Sequence, residues 1–297
     1  MNKISRKISF YRAFFRNGEE EVSVTEVFSH INGLSDDIDG RYLPMKEGNS
    51  RCVNLESTDI PLKGIYGTKR ESGLPLMDVS GDRAPLEMPE GGGLYEPMHF
   101  VIFPENVVGC EYNSHAPRIE SLKTYLPKKA SEILDNVELF PLMKKDVARE
   151  ISRMGRIRLF DLSIHKDMSE HLRILDDNLI DKLNTALEDN RYTDVLEIIL
   201  KPKDTRRGWI NLGFLNRIPQ FLAAAKDDID TAKIHAENVD NDNKMKTFDL
   251  LNLFISTTRS IELIDEMHKV VNSGSAFDEI IDAYHELKPE IDDIISE

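Results

Sequence analysis

The spacing of apolar residues changes character along the chain, and the change predicts an α+β protein with two regions. Over residues 1–116 the apolar positions are short-range and broken by turns. Ile8-Ser9-Phe10-Tyr11 opens a strand-like stretch that runs to Phe15 and stops at Asn17-Gly18. Ser23-Val24-Thr25-Glu26 has the spacing of a capping box, which predicts a helix through Val27, Phe28 and Ile31, closed by Gly33. Between Pro44 and Gly93 prolines and glycines recur too often for long elements. That stretch predicts short extended pieces, such as residues 64–70, and a mobile loop near residues 78–93. Residues 98–103 and 107–112 read as a hairpin about Pro104-Glu105-Asn106. This is a turn-rich, antiparallel β region.

From Pro117 onward helical and strand periods alternate. Ile119, Leu122 and Leu126 share a helical face over residues 117–129, and residues 137–142 follow as a strand. A second short helix spans 144–154 with Val147 and Ile151 inward, and 157–164 alternates as a strand. The longest stripe of helical period, Leu172, Leu175, Leu179, Ile180, Leu183 and Leu187, predicts a helix over 169–188. Residues 195–200 return as a strand stopped by Pro202. A helix is expected from about Ile218 to Ala236, a polar turn over 238–243, and an extended segment from Phe248 to Ile255 that Thr257 and Thr258 prolong, although its apolar spacing also fits a helix. The last helix is expected from about Ala276 to Ile295, with Pro289 kinking or dividing it. The division expected on this pattern is a β-rich region, 1–116, and an α+β region with an acidic helical C-terminus, 117–297.

Charge separates the chain in another way. The formal net charge is −15; residues 227–297 hold 18 acidic and 6 basic side chains, a net of −12, so the first 226 residues carry only −3. The overall acidity argues against blanket nucleic-acid affinity, yet leaves room for a basic face on the less acidic part. No apolar run approaches the roughly 20 residues a bilayer-spanning helix needs, and the basic opening lacks the apolar core of an export signal. A cytoplasmic protein without membrane insertion is expected. Cys52 and Cys110 match neither a disulfide scaffold nor a metal or redox pair, so both are expected to be reduced, buried thiols.

A search for catalytic or metal-binding patterns yields none, and no cofactor is expected. The eight histidines include no zinc-type spacing. Gly91-Gly92-Gly93 lacks the strand-to-helix setting of a phosphate loop, and no Gly-x-Ser-x-Gly is present. Asp194, Glu197 and Lys201 imitate a metal-nuclease cluster, but strand alternation puts Asp194 on the face opposite the other two.

The basic segments are more informative. Residues 144–158 hold six cations and two anions, Lys144, Lys145, Arg149, Arg153, Arg156 and Arg158 against Asp146 and Glu150. Lys145, Arg149, Arg153 and Arg156 are spaced to line one side of a helix and its exit, a geometry that can track phosphates. A second segment joins Lys201, Lys203, Arg206 and Arg207 to Trp209, the only tryptophan, a combination suited to gripping a backbone and stacking on a base or on Arg. The bland alternative is a solvated helix face and a charged loop anchored by its tryptophan.

Four stretches carry a family resemblance: Val137-Glu138-Leu139-Phe140-Pro141-Leu142-Met143 with Asp146-Val147, Leu196-Glu197-Ile198-Ile199-Leu200-Lys201-Pro202-Lys203, the opening Ser9-Phe10-Tyr11 and the late Ala283-Tyr284. In order and layout the chain resembles RexA, the phage-exclusion sensors of lambdoid prophages. The resemblance implies a DNA-binding, dimer-forming, non-enzymatic protein that senses phage infection and signals to a membrane effector. Lys201, Lys203 and the basic stretch 144–158 are the positions with counterparts. The acidic stretch from Asp227 is the departure, since it would repel a duplex unless it faces away.

Three functions are therefore carried forward. The first is a non-enzymatic nucleic-acid-binding or sensor protein of a bacterial or prophage antiviral defence system, acting on DNA through the basic clusters and forming a homo-oligomer. The second is a protein-interaction subunit whose acidic C-terminal helices dock a partner. The third is a divergent metal-dependent nuclease.

Overall fold

The computed structural model describes residues 2–45, 48–70, 75–77, 79–86, 92–144, 150–151, 153–165, 171–175, 195–203, 208–210, 215–225, 229–241, 243–267 and 269–296. The fold is α+β with antiparallel sheets. Among the described residues no helix is long and apolar enough to cross a membrane. Contacts group the chain into two units: Met1–Leu142 with Ser256–Ser296, and Met143–Ile255. The change of apolar rhythm at Pro117 does not coincide with this grouping, because β-pairing ties later segments back to the first strand.

That first strand, β1 (Lys3–Asn17), organises unit 1. Residues 3–9 pair with β15 (Ser256–Asp265) and residues 11–16 with β10 (Asn136–Pro141), end to end along one edge. Its other edge pairs with β9 (Val107–Glu111), next to β8 (Leu94–Ile102), β5 (Leu62–Arg70), β4 (Asn49–Ser57) and β3 (Leu43–Pro44). The short β2 (Glu20–Glu21) pairs with the end of β1, and β6 (Pro75–Met77) pairs with β7 (Arg83–Pro85). Ile8, Ser9, Phe10 and Tyr11 are buried in succession, which a strand achieves only when both faces of its sheet are covered.

Two layers do the covering. On one face lie α1 (Val24–Gly33) and α2 (Leu122–Lys129). Val27, Phe28 and Ile31 of α1 join Ala13, Phe15 and Phe100 in one core, where the Phe15 and Phe28 rings meet edge to face at 6.2 Å. The expected capping box is absent in one respect: Ser23 precedes α1 with an extended backbone, but its side chain makes no capping hydrogen bond. On the other face lies α4, Ser273–Ile295, whose cap Asn272 accepts from the Ser275 N–H at 3.1 Å. Ala276, Phe277, Ile280, Ala283, Tyr284 and Ile291 are its buried stripe, with Tyr284 stacked on Phe103 at 3.8 Å. Gly109 on β9 sets how closely α4 can approach, since a Cβ there would sit 2.8 Å from Phe10 and 2.9 Å from Ile280.

The acidic C-terminal stretch is thus half interior. Asp278, Asp282, Glu286 and Glu290 are exposed at four-residue intervals, while the opposite stripe completes the core. Pro289 does not divide the helix. The carbonyl it cannot satisfy is that of His285, and both residues are exposed, so water can serve.

Unit 2 holds a four-stranded sheet in the order β12 (Val195–Leu200), β11 (Met154–His165), β13 (Ile229–Asn238), β14 (Lys244–Asp249). Phe160, Leu162, Ile164, Ala232, Ile234, Ala236 and Phe248 point to a core shared with Ile218, Phe221, Leu222 and Ala225 of α3 (Ile218–Ala225). Here the expected helix 218–236 is corrected. It ends at Ala225, and residues 229–238 form β13, because Ala232, Ile234 and Ala236 alternate with polar neighbours at period two. The expected extended segment 248–255 is also divided. Asp249 accepts from the Leu251 N–H at 3.1 Å and starts a turn of 3₁₀ helix at Leu250–Leu253, after which β15 begins at Ser256 in unit 1. The helices expected over 144–154 and 169–188 fall largely outside the described residues; Glu150 and Ile151 are helical and Met154 already belongs to β11.

Candidate nucleic-acid interface

Strand β11 is where the two basic segments meet. On one edge Leu200 pairs with Phe160, so Lys201 leaves the sheet beside the Arg158-Leu159 stretch. On the same edge Ile210 bridges Ile157, donating its N–H to the Ile157 carbonyl at 2.8 Å. The chain therefore leaves β11 at Leu200 and returns to it at Ile210 within the four consecutive residues Ile157 to Phe160. Backbone pairing brings the clusters together, although 43 positions separate Arg158 from Lys201.

At the return point Arg156 lies over the Trp209 ring, its guanidinium carbon 4.0 Å from the ring centroid. Both are open to solvent, with 58% of the Arg156 side chain and 49% of Trp209 exposed. The sequence-based alternative of Trp209 as a core anchor is not what the fold shows. A guanidinium stacked on an exposed indole keeps its hydrogen-bond donors in plane at the ring's edge, where an anion can reach them, while the indole offers its outer face.

Other predicted cations are placed less favourably. Arg153 donates to Glu150 at 2.6 Å and lies 2.5 Å from Asp240. The hydrogen bond it donates to Glu150, and then the charge of Asp240, hold its pKa above the ordinary value. Its charge is spent within the protein. Glu237 stands 4.0 Å from Arg156, a looser pairing across β11 and β13. Two acids from the C-terminal acidic stretch thus face the first basic segment, because β13 and the turn after it belong to the same sheet.

Lys144 is tied by its backbone to Leu253 and its exposed side chain lines a cavity of about 350 Å³ with Glu150 and Lys246. Lys246, absent from the sequence-based set, lies 4.0 Å from Glu150 and shares that acid with Arg153. Only its register opposite Ala236 on β13 reveals this, and the expectation of a helix at that place hid it. Arg158 is half-buried on β11; Lys201 and Lys203 are exposed and carry no ion pair among the described residues. Lys145, Arg149, Arg206 and Arg207 lie outside the described residues, as does Asp194 of the nuclease-like trio.

No protein-family model matches the sequence, and no curated protein matches it. Geometry and charge carry the functional argument.

Proposed function

We propose that the chain binds nucleic acid through unit 2, as a sensor component of a bacterial or prophage antiviral system. One observation supports this most: two basic segments meet on one edge of β11, where exposed Arg156 stacks on exposed Trp209. Phosphates would be held by Arg156, Lys201 and Lys203, and an unstacked base would lie against the indole. Such contacts read charge and aromatic surface, so binding favours single strands and tolerates sequence. The resemblance to RexA supports the sensor role, with Lys201 and Lys203 at the matching positions.

Because Trp209 is the only tryptophan, its own emission reports the site directly. Titration with a single-stranded oligonucleotide at low salt should quench it, and the association constant should fall steeply with salt as counterions are released. Arg156→Ala should weaken binding, and Trp209→Ala, followed by gel shift, should cost about 1–3 kcal/mol. Absence of any quenching or shift at low salt removes the proposal.

A further inference from the structure

Unit 1 contains a polar cluster that the nucleic-acid reading does not use. β8 and β9 pair Phe100 with Cys110, so the next pair outward places His99 beside Glu111 on the face that meets α4. Both are 2% exposed. Glu111 Oε1 accepts from His99 Nδ1 and, at 3.3 Å, from the His99 backbone N–H. With Nδ1 protonated towards the carboxylate, Nε2 is the acceptor nitrogen, and Ser273 Oγ lies 2.9 Å from it. The imidazole is held edge to face against Phe277 at 5.3 Å. Arg6 Nε, 3.7 Å from Glu111 Oε2, supplies a countercharge for the buried carboxylate.

Capping the helix does not account for the serine. Asn272 caps α4 through Ser275 N–H, and the Ser275 hydroxyl accepts from Glu262 N–H at 3.1 Å. Ser273 Oγ instead has His99 as its partner and lines a cavity of about 650 Å³. The backbone N–H groups of Ser273 and Gly274, at the start of a 23-residue helix, have no acceptor among the described residues. These are donors of the kind that stabilise an oxyanion, with the positive end of the helix dipole behind them.

We propose that Ser273, His99 and Glu111 form a nucleophile, base and orienting acid for hydrolysis of a carboxylic ester or thioester. Ser273 Oγ bonds to the acyl carbon as its proton passes to His99 Nε2. The bond from that carbon to the leaving oxygen or sulfur then breaks, and the leaving group takes the proton from His99. Water repeats the sequence in reverse: its oxygen bonds to the acyl carbon, its proton goes to Nε2, and Ser273 departs with that proton. The walls define the substrate class. Ile264 and Val270 suit an apolar acyl group; with Arg6 matched to Glu111 and Glu96 to Arg70, Lys269 and His115 are the groups that suit an anionic substituent on the substrate. This site lies wholly in unit 1 and stands or falls independently of nucleic-acid binding by unit 2.

The test uses the full-length chain, a fluorophosphonate probe and p-nitrophenyl butyrate. The probe should attach to the peptide bearing Ser273, as located by tandem mass spectrometry. Ester hydrolysis should fall about 10²–10⁴-fold in Ser273→Ala and in His99→Gln, and persist in Ser275→Ala. Ser273→Ala removes a single hydroxyl, and its melting temperature shows whether the fold is kept. Labelling of the unaltered protein needs no variant at all. Folded protein left unlabelled at Ser273, labelling confined to another serine, or turnover unchanged in Ser273→Ala would each overturn the proposal.

Discussion

Unit 1 covers its sheet on both faces, whereas in unit 2 the described strands alternate a packed face with one bearing Asp161, Thr231 and Lys233. The difference governs what each does with charge. In unit 1 a charged group inside the sandwich must be matched in place, as Glu111 is by His99 and Arg6, because an unmatched buried charge is costly. In unit 2 charge lies near water, where pairing is optional; Arg153 is committed to two acids while Lys201 and Lys203 are exposed. Buried chemistry is therefore expected in one unit and surface recognition in the other.

The sharpest way to separate the units is to empty the α4 interface. Phe277→Ala should cost about 3–5 kcal/mol, since it removes a ring packed on His99 and leaves a cavity. Urea unfolding should show the loss in the far-ultraviolet dichroism transition, and the Trp209 emission transition should move less. Equal movement of both would show that the units do not unfold separately.

A smaller effect tests polar satisfaction. The Tyr125 hydroxyl, buried beneath α2, donates to the Arg41 carbonyl at 2.7 Å and accepts from Val53 N–H at 3.2 Å. Tyr125→Phe strands both partners and should cost about 1–3 kcal/mol. Burial also raises the pKa of Tyr125 and of Tyr66, both fully enclosed, above the ordinary 10.0. The unfolded chain then gives up these protons first, so stability from this source is complete below pH 10 and falls as pH rises beyond it. These tyrosines lie in unit 1, so that unit should lose stability as the pH rises past 10. A pH series of denaturant midpoints, with Tyr125→Phe alongside, measures it.

The least disruptive change is Asp240→Asn. An exposed ion pair contributes about 0–1 kcal/mol, so thermal stability should hardly move. Arg153 would lose one of its two acids, and oligonucleotide binding should tighten with a salt slope steeper by up to about one ion. Weaker binding in Asp240→Asn would place the contact surface elsewhere.

Elements whose pattern was local were legible in the sequence. The β1 run of apolar residues, the 3.6-residue stripe of α4 and the hairpin of β8 and β9 follow from their own residues. β13 was not, because Ala232 and Ala236 are four apart and imitate a helical face, and its strand character comes from partners on either side. The joining of the two basic segments depended likewise on the Ile157–Ile210 bridge. Ser273 and His99, 174 positions apart, share no motif at all. Their alignment depends on where α4 settles on the sheet, a fact of packing that no spacing rule encodes.

The pairing of β1 with β15 also dictates an order of events during synthesis. Residues 3–9 cannot gain their neighbours at 256–262 until the intervening chain has left the ribosome, so the early segment waits with one edge open. Met143–Ile255, an uninterrupted stretch, can reach its native shape in that interval. A nascent chain arrested before residue 256 would then present a finished insert beside an unclosed host, and the host would depend on chaperones to shield its waiting edge.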